Sequence, residues 1–184
     1  MHTDEQWQLF KPNGEAIPGA FWDSARDNPE GDDTEIVGVS VVFVFRVSPD
    51  GVLEVLWQRR SQNVSRYPGY YDISAGGHIN LGESLTEAAV REVREEIGAI
   101  ITEDELYFVT MRGFNKNRFA WVYAVDWTGK EESFNFDDKE VEEVRWIPFD
   151  MSADFIERYA KPSLKEDKIT MAALGAWFEQ HGYA

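Results

Sequence analysis

Cysteine is absent from all 184 residues. Disulfide bridges and thiol chemistry are excluded, and the expected setting is a reducing one, the cytoplasm. Basic residues are also scarce, with 18 Lys and Arg against 34 Asp and Glu and a formal net charge of −16. A nucleic-acid polymer is read through a concentrated basic face, so no such partner is expected. A small phosphorylated substrate stays compatible, because a bound cation inverts the local field. No apolar run approaches the roughly 18 residues of a membrane helix. The opening Met1 to Trp7 lacks the basic-then-apolar order of a signal peptide, so neither membrane nor secretion is expected. What is present, 43% hydrophobic and 14% aromatic residues, suits one globular domain with a sizeable core.

Residues 1–35 read as an N-terminal extension to a domain spanning 36–184. Gln6–Phe10 and Glu15–Ala20 flank Lys11-Pro12-Asn13-Gly14 as a possible β-hairpin, and the acidic turn at 27–34 reads as a connector. Ile36 to Val47 is too continuously apolar for a half-exposed strand and predicts a buried central one. Val52 to Arg60 predicts a second strand. Its last residues, Arg59 and Arg60, are either a solvated strand end or a phosphate clamp, since guanidinium forks match phosphate oxygens. Pro68 to His78 predicts a short strand leading into a glycine loop. Leu106–Gly113 and Phe119–Trp127 predict a strand pair joined across 114–118. Lys130–Lys139 is a polar loop with Phe134 and Phe136 as its possible anchors. Val141–Ile147 is a further strand, and Asp150–Tyr159 and Ser163–His181 are helices. The apolar stripe of the last helix reads as core or dimer contact.

The chemistry concentrates between Gly77 and Ala99. Ser84-Leu85-Thr86-Glu87 has the form of a capping box, and Gly98 suits a helix C-cap. At roughly 100° per residue, Glu92, Glu95 and Glu96 share about a third of the circumference. Leu85, Ala89, Val93 and Ile97 line the neighbouring face. Like charges so spaced destabilise a bare helix. A hard divalent cation offsets them, and oxygen ligands favour Mg²⁺ or Mn²⁺ over zinc. His78, entering the loop, reads as structural before catalytic.

Gly77, Glu83, Arg91, Glu92, Val93, Glu95, Glu96 and Gly98 fill the pattern Gly-x5-Glu-x7-Arg-Glu-(aliphatic)-x-Glu-Glu-x-Gly. This stretch resembles the Nudix box, with Ala99 a small departure at the closing aliphatic position. The resemblance implies an α/β/α sandwich with a mixed β-sheet. It implies Mg²⁺-dependent hydrolysis of a diphosphate linkage in a small nucleoside-diphosphate-type compound. Glu92, Glu95 and Glu96 with the Gly76 carbonyl would be the metal ligands, and Glu92 a candidate general base. Glu83 would orient Arg91, which would hold the glutamates. The family often adds an acidic ligand from a later loop. Glu140 is the choice here, with Glu142 and Glu143 as rivals and a solvated strand end as its alternative. Basic residues often stand where Arg59 and Arg60 do. Asp72, Ser74, Ala75, Gly77, His78, Gly82 and Glu83, with Gln58 to Ser61 and Asn13-Gly14-Glu15, are similar to the isopentenyl-diphosphate isomerase-like branch. That isomerase needs a cysteine where this chain has Gly76, which favours a hydrolase. An isomerase of non-cysteine mechanism and a non-catalytic ligand sensor are the alternatives. Trp7, Phe21, Trp22, Tyr67, Tyr70 and Tyr71 are available to stack on a base or to pack. A homodimer is possible.

Overall fold

The structure, a computed structural model, describes residues 5–23, 36–114, 117–136 and 139–183. The expected acidic connector at 27–34 lies outside them. In chain order the elements are β1 (Gln6–Phe10), β2 (Ala16–Asp23), β3 (Ile36–Val47), β4 (Leu53–Arg60), β5 (Tyr71–Asp72), β6 (Ala75–His78), α1 (Leu85–Ile97), β7 (Tyr107–Phe114), β8 (Arg118–Asp126), β9 (Val141–Pro148), α2 (Ser152–Tyr159), α3 (Pro162–Glu166) and α4 (Lys168–Gln180). No described helix is long and apolar enough to cross a membrane.

β3 is the hub, as its apolar run requires. It pairs antiparallel with β1, β4 and β6 and parallel with β8 along Val37–Phe45. Alternation then sorts its side chains into two layers. Val42 and Val44 face α1 in a core with Ile79, Ala89, Val93 and Ile97. Phe43 and Phe45 face the other way, onto Phe155 of α2 and Leu174, Trp177 and Phe178 of α4. The result is a curled mixed sheet between helical layers, the expected α/β/α sandwich. Phe43, Phe45 and Trp57 have no exposed surface, and truncating such a ring to alanine costs about 3–5 kcal/mol.

β1 and β2 form the expected hairpin, its second arm running on to Asp23 because Gln6 pairs there. The hairpin is stitched to the stretch after β6: Gln8 N–H donates to the Ile79 carbonyl at 2.8 Å, and Leu81 N–H to that of Gln6 at 2.8 Å.

Two expectations are corrected. The glycine loop begins as a strand, since Ala75–His78 pairs with Val39–Val42. Glycine permits the closeness: a Cβ on Gly76 would lie 2.7 Å from the Ser40 carbonyl oxygen. The expected last helix is two, α3 and α4, divided at Asp167. That carboxylate accepts from Thr170 N–H at 3.1 Å and so caps α4, while Arg112 of β7 holds it from across the fold.

Candidate active site

α1 starts and stops where its caps demand. Ser84 and Glu87 exchange the reciprocal bonds of a capping box, and Gly98 closes the helix at φ 67°. This sets the helix rotation, and with it the three glutamates. Glu92 and Glu96 do not face solvent; they are 9% and 7% exposed and turn toward the β6 backbone. Glu96 Oε2 accepts from Gly76 N–H at 2.8 Å and from Gln58 Nε2 at 2.9 Å. Any side chain at position 77 would collide with the Glu92 carboxylate. Glu95 is half-buried beside them.

Arg91 ties the group together. Its Nε and Nη2 form a two-pronged pair with Glu83 at 2.8 and 3.0 Å. Nη1 donates to Glu92 at 2.6 Å and Glu95 at 3.2 Å, and Nη2 also reaches the His78 carbonyl at 2.9 Å. Burial works against the guanidinium charge, but Glu83 and Glu92 hold it above its ordinary pKa. Glu92 and Glu96 titrate as a pair, both raised. Burial is the main cause for each; the Glu92 charge adds to it at Glu96, and Arg91 opposes it at Glu92. Among the described residues no three acidic or histidine side chains already converge as a ligand set; Arg91 stands between them. The donors nevertheless fit a hard divalent ion: all are oxygens, two are buried carboxylates, and a glycine leaves room beside them.

These residues line an open cleft of about 650 Å³. Glu140 is on its wall with Gly76 and Gly77. Glu142 and Glu143 are engaged elsewhere. Glu142 accepts from Gln62 N–H at 3.2 Å and pairs with Arg59 at 3.3 Å, while Glu143 pairs with Arg59 and Arg145. Of the two expected phosphate contacts, only Arg60 lines the cleft. Arg59 is held by Glu142, Glu143 and the Gly69 carbonyl. Of the six candidate stacking aromatics only Tyr67 lines the cleft. Trp22 and Tyr71 are core residues, and Trp7 stacks on His78 at 3.6 Å between centroids.

Sequence reasoning missed Gln58, Arg66, Arg118 and Lys161. Gln58 carries a legible signal, a polar residue inside an apolar strand, which when buried requires a partner. Lys161 reaches Asp72 at 2.5 Å, and Arg60 approaches the same carboxylate at 3.8 Å. His78 is half-buried with its Nε2 out of contact with solvent, and it is pulled down to a pKa of about 3, first by desolvation and then by the charges of Arg118, Arg66 and Arg91. Its resonances are therefore expected to stay unshifted from pH 8 to pH 5 in an NMR titration. Because the folded value lies below the unfolded one, its contribution to stability is complete above about pH 6.5 and lost as pH falls toward 3.

Residues 34–166 match the model of the NUDIX domain. An uncharacterised Nudix hydrolase of Streptomyces coelicolor is 32% identical over 140 residues, covering 74% of this chain and 73% of that protein. Nudix hydrolase 3 of Arabidopsis thaliana is 31% identical over 116 residues, which is 57% of this chain but only 15% of the plant protein. The crystal structure of DR0079 from Deinococcus radiodurans has the same fold, with a TM-score of 0.66 at 24% identity over 88% of this chain and 96% of that one. The chain belongs to the Nudix family. The relatives it matches there are named Nudix hydrolases.

Proposed function

We propose that the chain is a Mg²⁺- or Mn²⁺-dependent pyrophosphohydrolase that cleaves the diphosphate of a small nucleoside-diphosphate-type compound. One observation carries this. Two carboxylates, Glu92 and Glu96, are buried together at the wall of an open cleft that also holds Arg60, Arg66, Arg118 and Lys161. Arg91 offsets one charge at Glu92, and the second buried carboxylate is kept at a cost in stability unless a further cation joins it.

In this proposal Glu92, Glu95, Glu96 and the Gly76 carbonyl hold the ion, and Glu140 adds a ligand from just before β9. The ion, when bound, neutralises diphosphate charge and lowers the pKa of water. Glu92, raised by its burial, accepts a proton near neutrality. Arg91 and Glu83 keep the carboxylates in place, and Arg60 meets a phosphate oxygen. The isomerase-like branch is the position within the family that we infer from residues 58–61 and 72–83, with Gly76 in place of the isomerase cysteine.

A panel of nucleotide sugars, ADP-ribose, dinucleoside polyphosphates, NADH and prenyl diphosphates, each with Mg²⁺ or Mn²⁺, tests this. At least one compound should yield two phosphorylated products. No turnover anywhere, with Glu95→Gln and Glu96→Gln indistinguishable from the parent, would sink the proposal. Mg²⁺ at a hundred times its Kd should add about 2.7 kcal/mol, or roughly 5–10 °C in Tm, for a chain of this size. Glu96→Gln should lose most of that shift.

A further inference from the structure

We propose that Arg66, Arg118 and Nε2 of His78 form a second oxyanion site, a seat for a phosphate group that the substrate carries beyond its scissile diphosphate. The choice of ligand deepens the function proposed above and rests on it; the site itself does not.

The charges in the cleft divide unevenly. Arg91 is engaged by Glu83, Glu92 and Glu95, and Arg60 and Lys161 share Asp72. Arg66 and Arg118 alone among the cleft cations have no carboxylate partner among the described residues. Yet the chain carries almost two acids for each base, so a pair of unmatched guanidinium groups on one wall runs against its composition. Burial, and then the charge of Arg66, pull Arg118 below its ordinary value, the condition an incoming anion relieves.

The third member is an orphan. His78 Nε2 is buried with no hydrogen-bond partner among the described residues. Its ring cannot swing away to find one, because Trp7 lies flat on it at 3.6 Å and 8°. A buried polar atom without a partner is costly. A phosphate oxygen accepting from Nε2–H removes the cost without requiring a charged imidazole.

Topology brings the three together. His78 on β6 stands opposite Val39 of β3, and Ala120 of β8 stands opposite Val39 from the other side. Arg118 lies two residues before Ala120, so by strand alternation it shares the face of His78, with Val39 as the floor between them. Arg66 arrives from the loop after β4, where the Arg60 guanidinium holds its carbonyl at 3.1 Å. The next residue, Tyr67, is in the left-handed region at φ 51°. A non-glycine residue keeps that conformation only when its surroundings impose it, so this is a set loop. Arginine forks and a neutral N–H donor suit a phosphate-type oxyanion. Its source is either a third phosphate in a polyphosphate chain or a phosphomonoester on the ribose.

Full-length protein labelled with ¹⁵N-histidine and titrated with inorganic phosphate, without metal, tests the site directly. The His78 Nε2 signal should shift saturably. Arg66→Gln and Arg118→Gln should each weaken the apparent affinity on the order of tenfold. Arg118→Lys should recover part of it, and Lys11→Gln, a surface cation away from the cleft, should change nothing. Absence of a saturable shift, or equal loss in Lys11→Gln, overturns the site; should Arg118→Gln not fold, Arg66→Gln decides. Hydrolysis identifies the source. ATP against ADP tests the chain phosphate, and ADP-ribose against its 2′-phosphorylated form tests the ribose phosphate. With the compound bearing the recognised phosphate, Arg118→Gln should raise KM about tenfold and leave kcat unchanged. Phosphate binding without any hydrolysis would keep this site and remove the proposed function, and hydrolysis without a phosphate response would do the reverse.

Discussion

Glu96→Gln is expected to reduce kcat/KM by about 10³ while leaving the metal-free protein at least as stable as the parent. The two effects have one origin. Glu96 Oε2 takes N–H bonds from Gly76 and Gln58, and a glutamine carbonyl oxygen takes the same place. The second oxygen becomes an amide, and the buried repulsion with Glu92 and Asp72 disappears. Relief of that repulsion is worth on the order of 1 kcal/mol, or about 2–4 °C in Tm for a chain of this size. The price is a neutral group where a cation would need a charged one. Kinetics on a hydrolysed compound and calorimetry in chelator read the two effects separately. Activity within tenfold of the parent would remove Glu96 from the metal set. A large drop in metal-free Tm would show that its charge supports the fold instead.

Arg91→Ala should do the opposite to stability and the same to activity. Its guanidinium pairs with Glu83, Glu92 and Glu95 at once and also bonds the His78 carbonyl. Removing one partner of a buried ionic group costs about 3–5 kcal/mol, so Tm should fall by roughly 10 °C and turnover should be lost. Arg91→Lys should recover little activity, because one ammonium cannot span the Glu83 fork and the other two carboxylates. Mg²⁺ should recover part of the lost stability by taking over the charge of Glu92 and Glu95. No such recovery at saturating Mg²⁺ would count against those two as ligands.

What could be read from the sequence was what neighbours in the chain decide. The α1 caps, its apolar stripe and the carboxylate group all lie within 23 residues, and the buried character of β3 is visible in its own composition. Arg59 and Arg60 show where this ends. Adjacent on β4, the two point to opposite faces, and only the packing of β9 and the cleft decides which is which: Arg60 lines the cleft, and Arg59 meets Glu142 and Glu143. Arg118 and Lys161 reach the site only because β8 runs parallel to β3 and because Lys161 N–H bonds the Tyr71 carbonyl at 3.0 Å. The break at Asp167 likewise depends on Arg112, which no local pattern announces.

The stitching of the N-terminal hairpin has a practical consequence for anyone producing the protein. A version cut back to Ile36 would lose Phe10, only 2% exposed and seated over Gly38. It would also leave the backbone groups that β1 pairs at Ile36 and Val37, and those it bonds at Ile79 and Leu81, without their partners. Glu5, the first described residue, also lines the cleft, so the same cut would remove part of the wall on which the proposed site sits.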